Sequence, residues 1–408
     1  METSSSSVSS ANEKGTSMKH AMMLALALAL VFLQTNGGGA QTATPVEINA
    51  VIPLTGGGAF LAKAYLQAFT ALETVVNREG GIQGHPIKFV TADSQTNPQV
   101  SLQLVNGLIA KHVNVFIDGA PAGVCSASIP IVVNTGPVDY CLSPGVHPPA
   151  RSYVFSSNVS TDDLGKTVFR YFRDRGWTRI AAITSTDTTG QDFARIIDAT
   201  LALPENRSLQ LLVHEHFAPT DISVAAQMAR IKATNPQVLV TWSTGTPFGT
   251  LLHGIIDAGL DIPVVSSSGN ELRGQMTAYA GITPKELLFP GPLAITPPAG
   301  ERGPVRARQD VYFSAFHAIG VSPDLAHALV WDPVLIIVDA LRKLGPNATP
   351  VQIRDYILSL HNWPGVNGMY DFTTGDQRGL GVNAVAVQRW DAAKNDWIQV
   401  SRPGGAKL

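Results

Sequence analysis

The chain has 408 residues, 45% apolar and 15% charged, and its 29 Lys and Arg against 31 Asp and Glu leave a net charge of −2. That balance excludes a mainly disordered chain, and the length leads us to expect about two to three domains. There is no basic excess or basic stripe, which argues against a nucleic-acid partner.

Residues 1–16 are Ser-rich, and Lys19-His20 then precede an unbroken apolar run, 21–33. The run is shorter than the ~20 residues of a membrane-spanning helix. It reads as the core of a secretory signal with cleavage near Gly38-Gly39-Ala40. Residues 1–40 are therefore expected to be a signal peptide and leader, and the protein periplasmic, with no stable membrane anchor. Two cysteines follow, Cys125 and Cys141. In an exported chain an even pair favours a disulfide; the alternative is two small buried hydrophobes.

Residues 46–54 read as a buried strand ending in Thr55-Gly56-Gly57-Gly58. A helix follows with apolar residues at Leu61, Tyr65, Phe69, Leu72, Val75 and Val76, ended by Gly80-Gly81. Then come a strand at 86–92, a helix marked by Val100, Leu104, Leu108 and Ile109, a strand at 113–117, and short segments at 126–133, 138–142 and 153–155. The rhythm resumes after Asn158. Helices at 162–175, 192–203, 224–233 and 248–258 alternate with strands at 180–183, 209–217, 238–242 and 262–266. Such alternation predicts parallel sheets covered by helices on both faces, here two α/β units of about five strands each. A Pro-rich stretch, 289–304, separates the second unit from helices near 305–319, 324–344 and 351–360. Residues 369–372, 382–390 and 397–400 read as antiparallel strands extending a sheet edge.

Motifs for chemistry are scarce. Gly56-Gly57-Gly58 lies between strand and helix, but Leu61 occupies the third glycine position of a dinucleotide loop and no acid follows at the required spacing. Gly165-Lys166-Thr167 ends like a phosphate loop, yet Ser160 stands where its first glycine must be. His214 and His216 share one face of a strand, and two ligands without a third favour a satisfied pair over a metal. No serine occupies a Gly-x-Ser-x-Gly elbow. We therefore expect no enzyme, no cofactor and no metal. Small polar residues instead follow six predicted strands, at 55–58, 119–126, 143–147, 184–190, 242–246 and 266–270. Open α/β sheets bind ligands at such ends, and three loops from each unit favour a cleft for a small polar ligand; as single loops they also suit turns.

Residues 48–109 resemble the type I solute-binding proteins of ABC transporters, in particular the branched-chain amino-acid (Leu/Ile/Val) binding family. The features that carry this are Pro53-Leu54-Thr55-Gly56, Asn77-Arg78-Glu79-Gly80-Gly81-Ile82-Gln83-Gly84, and Asp93 followed by Pro98. Leu142-Ser143-Pro144-Gly145, Ala258-Gly259-Leu260 with Ile262-Pro263, and Trp331-Asp332-Pro333 extend it along the chain. The resemblance implies two doubly wound α/β lobes joined by a three-crossing hinge. Lobe one would be 45–157 plus 293–379, and lobe two 158–292 plus 380–408. It also implies closure on an unreacted solute, delivery to permease subunits, and a monomer. A receptor ectodomain would need a membrane helix after the domain, and a cytosolic regulator would lack the signal sequence.

Carried over by position, the ligand residues are Thr55 and Phe60; Ala122, Gly123 and Ser126; Ser143, Gly145 and His147; Thr189; Trp242 and Gly245; and Ser268 and Asn270. Several depart from the family pattern. His147 stands where a threonine usually contacts ligand, Thr189-Gly190 replaces a Tyr-Gly pair, and an aromatic position aligns with Gly245. The carboxylate that often pairs the ligand ammonium aligns with Ser268, with Glu271 displaced by three. An unpaired buried ammonium is costly, so the expected ligand is a carboxylate, such as an aromatic or keto acid, or a neutral polar molecule, held by hydroxyls, amides and His147. In the competing reading Glu271 supplies the charge, His147 faces solvent, and the ligand is a branched-chain or other amino acid or an amide.

Overall fold

The computed structural model describes residues 43–408 apart from 299 and 301; the expected leader lies outside the described residues. Five strands, β1 (Val46–Ile52), β2 (Ile87–Asp93), β3 (Val115–Asp118), β4 (Val138–Cys141) and β5 (Val154–Ser156), form one all-parallel sheet in the order β2-β1-β3-β4-β5. Helices α1 (Ala59–Arg78), α2 (Pro98–Ala110) and α3 (Ala122–Val132) connect its first four strands.

The second sheet has seven strands. β6 (Arg179–Ser185), β7 (Gln210–Phe217), β8 (Val238–Trp242), β9 (Val264–Ser266) and β10 (Leu287–Pro292) run parallel. β13 (Val385–Asp391) and β14 (Asp396–Gln399) extend its edge antiparallel. Helices α4 (Thr161–Arg175), α5 (Thr188–Leu201), α6 (Ala225–Ala233), α7 (Pro247–Asp257) and the short α8 (Arg273–Ala278) belong to this part of the chain. β10 falls at the start of the stretch expected to be a Pro-rich separator. Its pairing with β9 ends at Leu288 while that with β13 continues to Pro292, so Pro290 and Pro292 sit where one edge has already been left and a missing N–H is tolerated. α5 begins four residues before its expected start because the Asp187 side chain accepts from the Gly190 amide and caps it.

The chain passes between the sheets three times, after β5, after β10, and between β12 and β13. The middle passage leads to α9 (Pro304–His317), α10 (Leu325–Leu344) and α11 (Pro350–Ser359), and α9 and α10 pack on α1 beside the first sheet. Residues 369–372 were expected to belong with the terminal strands. Instead β12 (Met369–Tyr370) pairs only with β11 (Trp363–Pro364), a small ladder of its own. Asp332 explains why. Buried in α10, its carboxylate accepts from the Val366 amide at 2.8 Å, the Asn367 amide at 3.0 Å, Asn367 Nδ2 at 2.9 Å and the Tyr370 hydroxyl at 2.9 Å. Asp332→Ala orphans the Val366 and Asn367 amides and the Tyr370 hydroxyl, while Asn367 Nδ2 keeps the Ala328 carbonyl, and we expect a loss on the order of 3 kcal/mol in chemical denaturation; a loss below about 0.5 kcal/mol would refute this anchoring role.

The Asn77-to-Gly84 motif has a physical origin. Asn77 exchanges hydrogen bonds with the Ile87 backbone, at 2.6 and 3.0 Å, and Arg342 of α10 donates to the Gly81 and Val76 carbonyls. Gly81 has φ +64°, and a methyl there would lie 2.0 Å from the His85 carbonyl oxygen, so only glycine fits.

The first and third crossings are tied together. The Ser156 amide donates to the Gln377 carbonyl at 3.1 Å. Arg378, fully buried, donates to Ser156 Oγ at 2.9 Å, to the Pro144 carbonyl at 2.8 Å and to the Val146 carbonyl. A disulfide joins Cys125 in α3 to Cys141 at the end of β4, fixing the two loops that follow β3 and β4 against each other.

Candidate functional site

Between the two lobes lies a small cavity of about 30 Å³, room for a water molecule or two. From the first lobe come Leu61, Ala120, Pro121, Ala122, Leu142, Ser143, Pro144 and Gly145, with Leu325 and Leu329 from α10. From the second come Thr161 and Leu164 of α4, Thr189 of α5, Trp242, Thr244, Ser267, Ser268 and Gly269. None of these described lining residues is charged. A wider groove of about 470 Å³ shares Pro121, Thr189 and Thr244 with the cavity and is bounded by Gly57, Gln95, Thr96, Gly123, Thr188 and Thr246, with Asp187 its one acid among the described lining residues.

Of the residues expected from sequence, the structure brings together Ala122, Ser143, Gly145, Thr189, Trp242 and Ser268 on the cavity wall, and Gly123 on the groove. The others lie off the wall. Thr55 donates to Asp93 Oδ2 at 2.7 Å and shapes the turn after β1. Phe60 packs its ring 6.2 Å from that of Tyr279 in the other lobe. Ser126 is a turn further along α3. Gly245, expected at an aromatic position, is a backbone contact between lobes: Thr246 N donates to Gly57 O at 3.3 Å, and a methyl on Gly245 would sit 2.3 Å from that oxygen. Asn270 spends its side chain on Ser243 O, Ser266 Oγ and the Gly245 amide. His147 turns to the rim, where Nε2 lies 2.9 Å from Asp192 Oδ1.

Glu271 is also off the wall. Its carboxyl lies against Gly291 in β10, where a methyl would come within 2.1 Å of Oε2, and neither oxygen has a hydrogen-bond partner among the described residues. Burial, and then the charge of Asp324, push it well above the carboxylate range despite Arg273. It is an acid packed under a strand, away from the cavity.

Of the remaining wall, Ala120, Pro121, Pro144, Thr244, Ser267 and Gly269 lie inside the strand-end loops singled out from sequence, although none was named there as a ligand residue. The rest was not found from sequence: Leu325 and Leu329 arrive from a helix far along the chain, Thr161 and Leu164 from the first turn of α4, and Leu61 and Leu142 from the first lobe. Four helices present their first turns here, through Ala122, Thr161, Thr189 and Leu325, and helix N-termini favour negative charge. At α4, α5 and α10 a side chain caps the amides, but α3 has no side-chain cap. The Trp242 indole N–H, fully buried in the wall, also has no partner among the described residues.

A small cavity between two hinged α/β lobes, walled by hydroxyls, amides and apolar side chains, defines a two-lobed solute-binding protein. The chain belongs to the Periplasmic binding protein family, which it matches over residues 45–395. It is 24% identical to an amino acid binding protein of Pseudomonas aeruginosa over 59% of this chain and 65% of that one. It is 25% identical to Leu/Ile/Val-binding protein homolog 1 of Brucella abortus over 61% of this chain and 67% of that one. The chain thus spans about two thirds of the curated relatives it matches. Its fold is shared with a solute binding protein of an R. palustris ABC transporter, solved in complex with benzoate (TM-score 0.74, 14% identity, 89% of this chain and 97% of that one). Among the described residues no helix is long and apolar enough to cross a membrane, and no cluster of three or more metal-ligating side chains occurs.

Proposed function

We propose that this protein is the extracytoplasmic solute-binding component of an ABC importer, and that it captures a small carboxylate with an apolar or aromatic body. The lobes close on it and present it, unreacted, to the permease. The observation that carries the reading is the cavity wall: the uncapped first turn of α3 and the unpartnered Trp242 N–H supply donors to an anion, while Leu61, Leu142, Leu164, Leu325 and Leu329 surround an apolar body. Arg378 adds positive charge behind the 143–146 loop; burial pulls it down to about 10, so it stays charged at neutral pH. Among the described residues no carboxylate lines the inner cavity to pair an ammonium, a pairing that amino-acid recognition needs. Because the closed cavity holds only a water or two, entry of any solute requires the lobes to part.

A second reading has its own support. Asp187 borders the outer groove, and an amino acid seated there could pair its ammonium with that carboxylate. Calorimetry with benzoate, 4-methyl-2-oxopentanoate, leucine and glutamate separates the two. Micromolar binding of the acids without an ammonium is expected. Micromolar binding of leucine that Asp187→Asn abolishes would replace the first reading with the second, and binding of none of the four would refute both.

A further inference from the structure

Outside the cavity wall, one cluster of charged groups spans the two lobes. His147, on the loop after β4 in the first lobe, directs both ring nitrogens at carboxylates of the second. Nε2 is 2.9 Å from Asp192 Oδ1 in α5, and Nδ1 is 3.7 Å from Asp162 Oδ2 in the first turn of α4. Thr161 Oγ1 lies 3.3 Å from Nε2 and donates to the other Asp192 oxygen. Arg195 reaches the same two carboxylates, at 3.1 and 3.6 Å. Asp163 sits beside them, paired with Lys166, and Arg378 holds the Val146 carbonyl next in the chain, with Asp376 nearby.

A neutral imidazole has one N–H and one lone pair, so between two carboxylates it satisfies one and repels the other. An imidazolium donates to both. Resting on the solute-binding reading above, we propose that His147 and Asp192 are affinity-determining positioning residues: a charged clasp across the rim that sets how long the lobes stay closed, without touching the ligand. The groups are placed for this. Asp192 is largely buried, its side chain 9% exposed, whereas His147 is 40% exposed. Burial pulls the Asp192 carboxyl upward, yet hydrogen bonds from His147 and Thr161, then the charge of His147 and the Arg195 contact, hold it below the ordinary carboxylate range. It therefore remains an anion through the interval in which imidazoles exchange charge, about pH 5 to 8. Arg195 bonds within its own lobe and leaves the crossing to His147. Other contacts between the lobes include Gly57 with Thr246, Phe60 with Tyr279 and the Arg273 amide with the Asp324 carboxylate, so the His147 variant is what assigns a pH effect on closure to this clasp.

Small-angle scattering of the ligand-free protein at pH 5.5 and 8.5 tests the proposal. The wild type is expected to be more compact at pH 5.5, and His147→Gln to show the larger radius at both. In 1 M salt, where the screening length is about 3 Å, the more exposed Asp162 contact is weakened while the buried Asp192 contact is screened much less, so the wild-type difference should shrink without vanishing. With benzoate as probe, the wild type should bind roughly fivefold tighter at pH 5.5 and the variant equally at both. A wild-type radius that does not change with pH, or a variant that keeps the wild-type pH profile, would overturn the clasp. Failure of every solute to bind the wild type would sink the solute reading instead, because the ligand-free radius still decides the clasp.

Discussion

Gly245→Ala should hold the lobes apart. The residue has φ +88°, a conformation that a side chain disfavours by about 1 kcal/mol or more, and its new methyl would fall 2.3 Å from Gly57 O. That oxygen belongs to the opposite lobe and accepts from Thr246 N, so the clash is relieved most readily by rotation about the crossings. The expected result is an unchanged far-ultraviolet circular dichroism spectrum, a larger radius by scattering, and at least roughly tenfold weaker binding of the best solute in the panel, equivalent to about 1.4 kcal/mol. Wild-type affinity in this variant would show that the Gly57 contact is not part of the binding-competent state. Gly57→Ala makes the control, because a methyl there meets only Thr246 Oγ1, at 3.4 Å.

Stability should fall as pH rises toward neutrality and beyond, because of two acids in the first lobe. Asp118 and Asp139 are both fully buried, and the Ser128 hydroxyl lies 3.0 Å from one carboxylate and 2.9 Å from the other. One hydroxyl proton cannot serve two carboxylates. Burial raises Asp118 to about 7, and burial together with the charge of Asp118 raises Asp139 well above the ordinary carboxylate range. The folded chain therefore keeps a proton that the unfolded chain releases near pH 4. Stabilisation from that proton is complete below about pH 4 and is lost as pH climbs through 7, a change of a few kcal/mol. The melting midpoint should drop by on the order of 5 °C from pH 5 to pH 8. Asp139→Asn supplies an amide donor to Asp118 and should flatten much of that slope, and it should exceed the wild type in stability at pH 8. Buried Glu271 and Asp332 are also shifted upward and contribute slope of the same sign, so the difference between variant and wild type is the informative quantity. Parallel pH profiles for the two would refute this account.

The fold was readable wherever local chemistry decides it. The glycine-rich end of α1 is held by Asn77 and by the φ that Gly81 must adopt, both written in the sequence. The strand-end loops likewise announced the cleft through their hydroxyls and glycines. What escaped depends on partners distant in the chain. His147 was aligned with a ligand contact, but Asp162 and Asp192, carried by helices of the other lobe, fix where its ring goes. Gly245 lacks the expected aromatic side chain because a carbonyl of the facing lobe occupies the space. Glu271 kept its charge type and lost its position, since its side chain runs under β10 rather than toward the cavity. Pro290 and Pro292 masked a strand because a single sequence does not reveal that one edge of it is unpaired.

Arg378 constrains how this binding surface can evolve. One guanidinium on the third linking segment grips two backbone carbonyls of the 143–146 loop and the Ser156 hydroxyl beside the first. Side chains on that loop are free to drift and so retune which solute is preferred. Its length is not, because a single inserted residue would pull a carbonyl off the guanidinium and strand a desolvated cation. Diversification at this wall is therefore expected to proceed by exchange of residues, with insertions and deletions confined to loops that no linking segment holds.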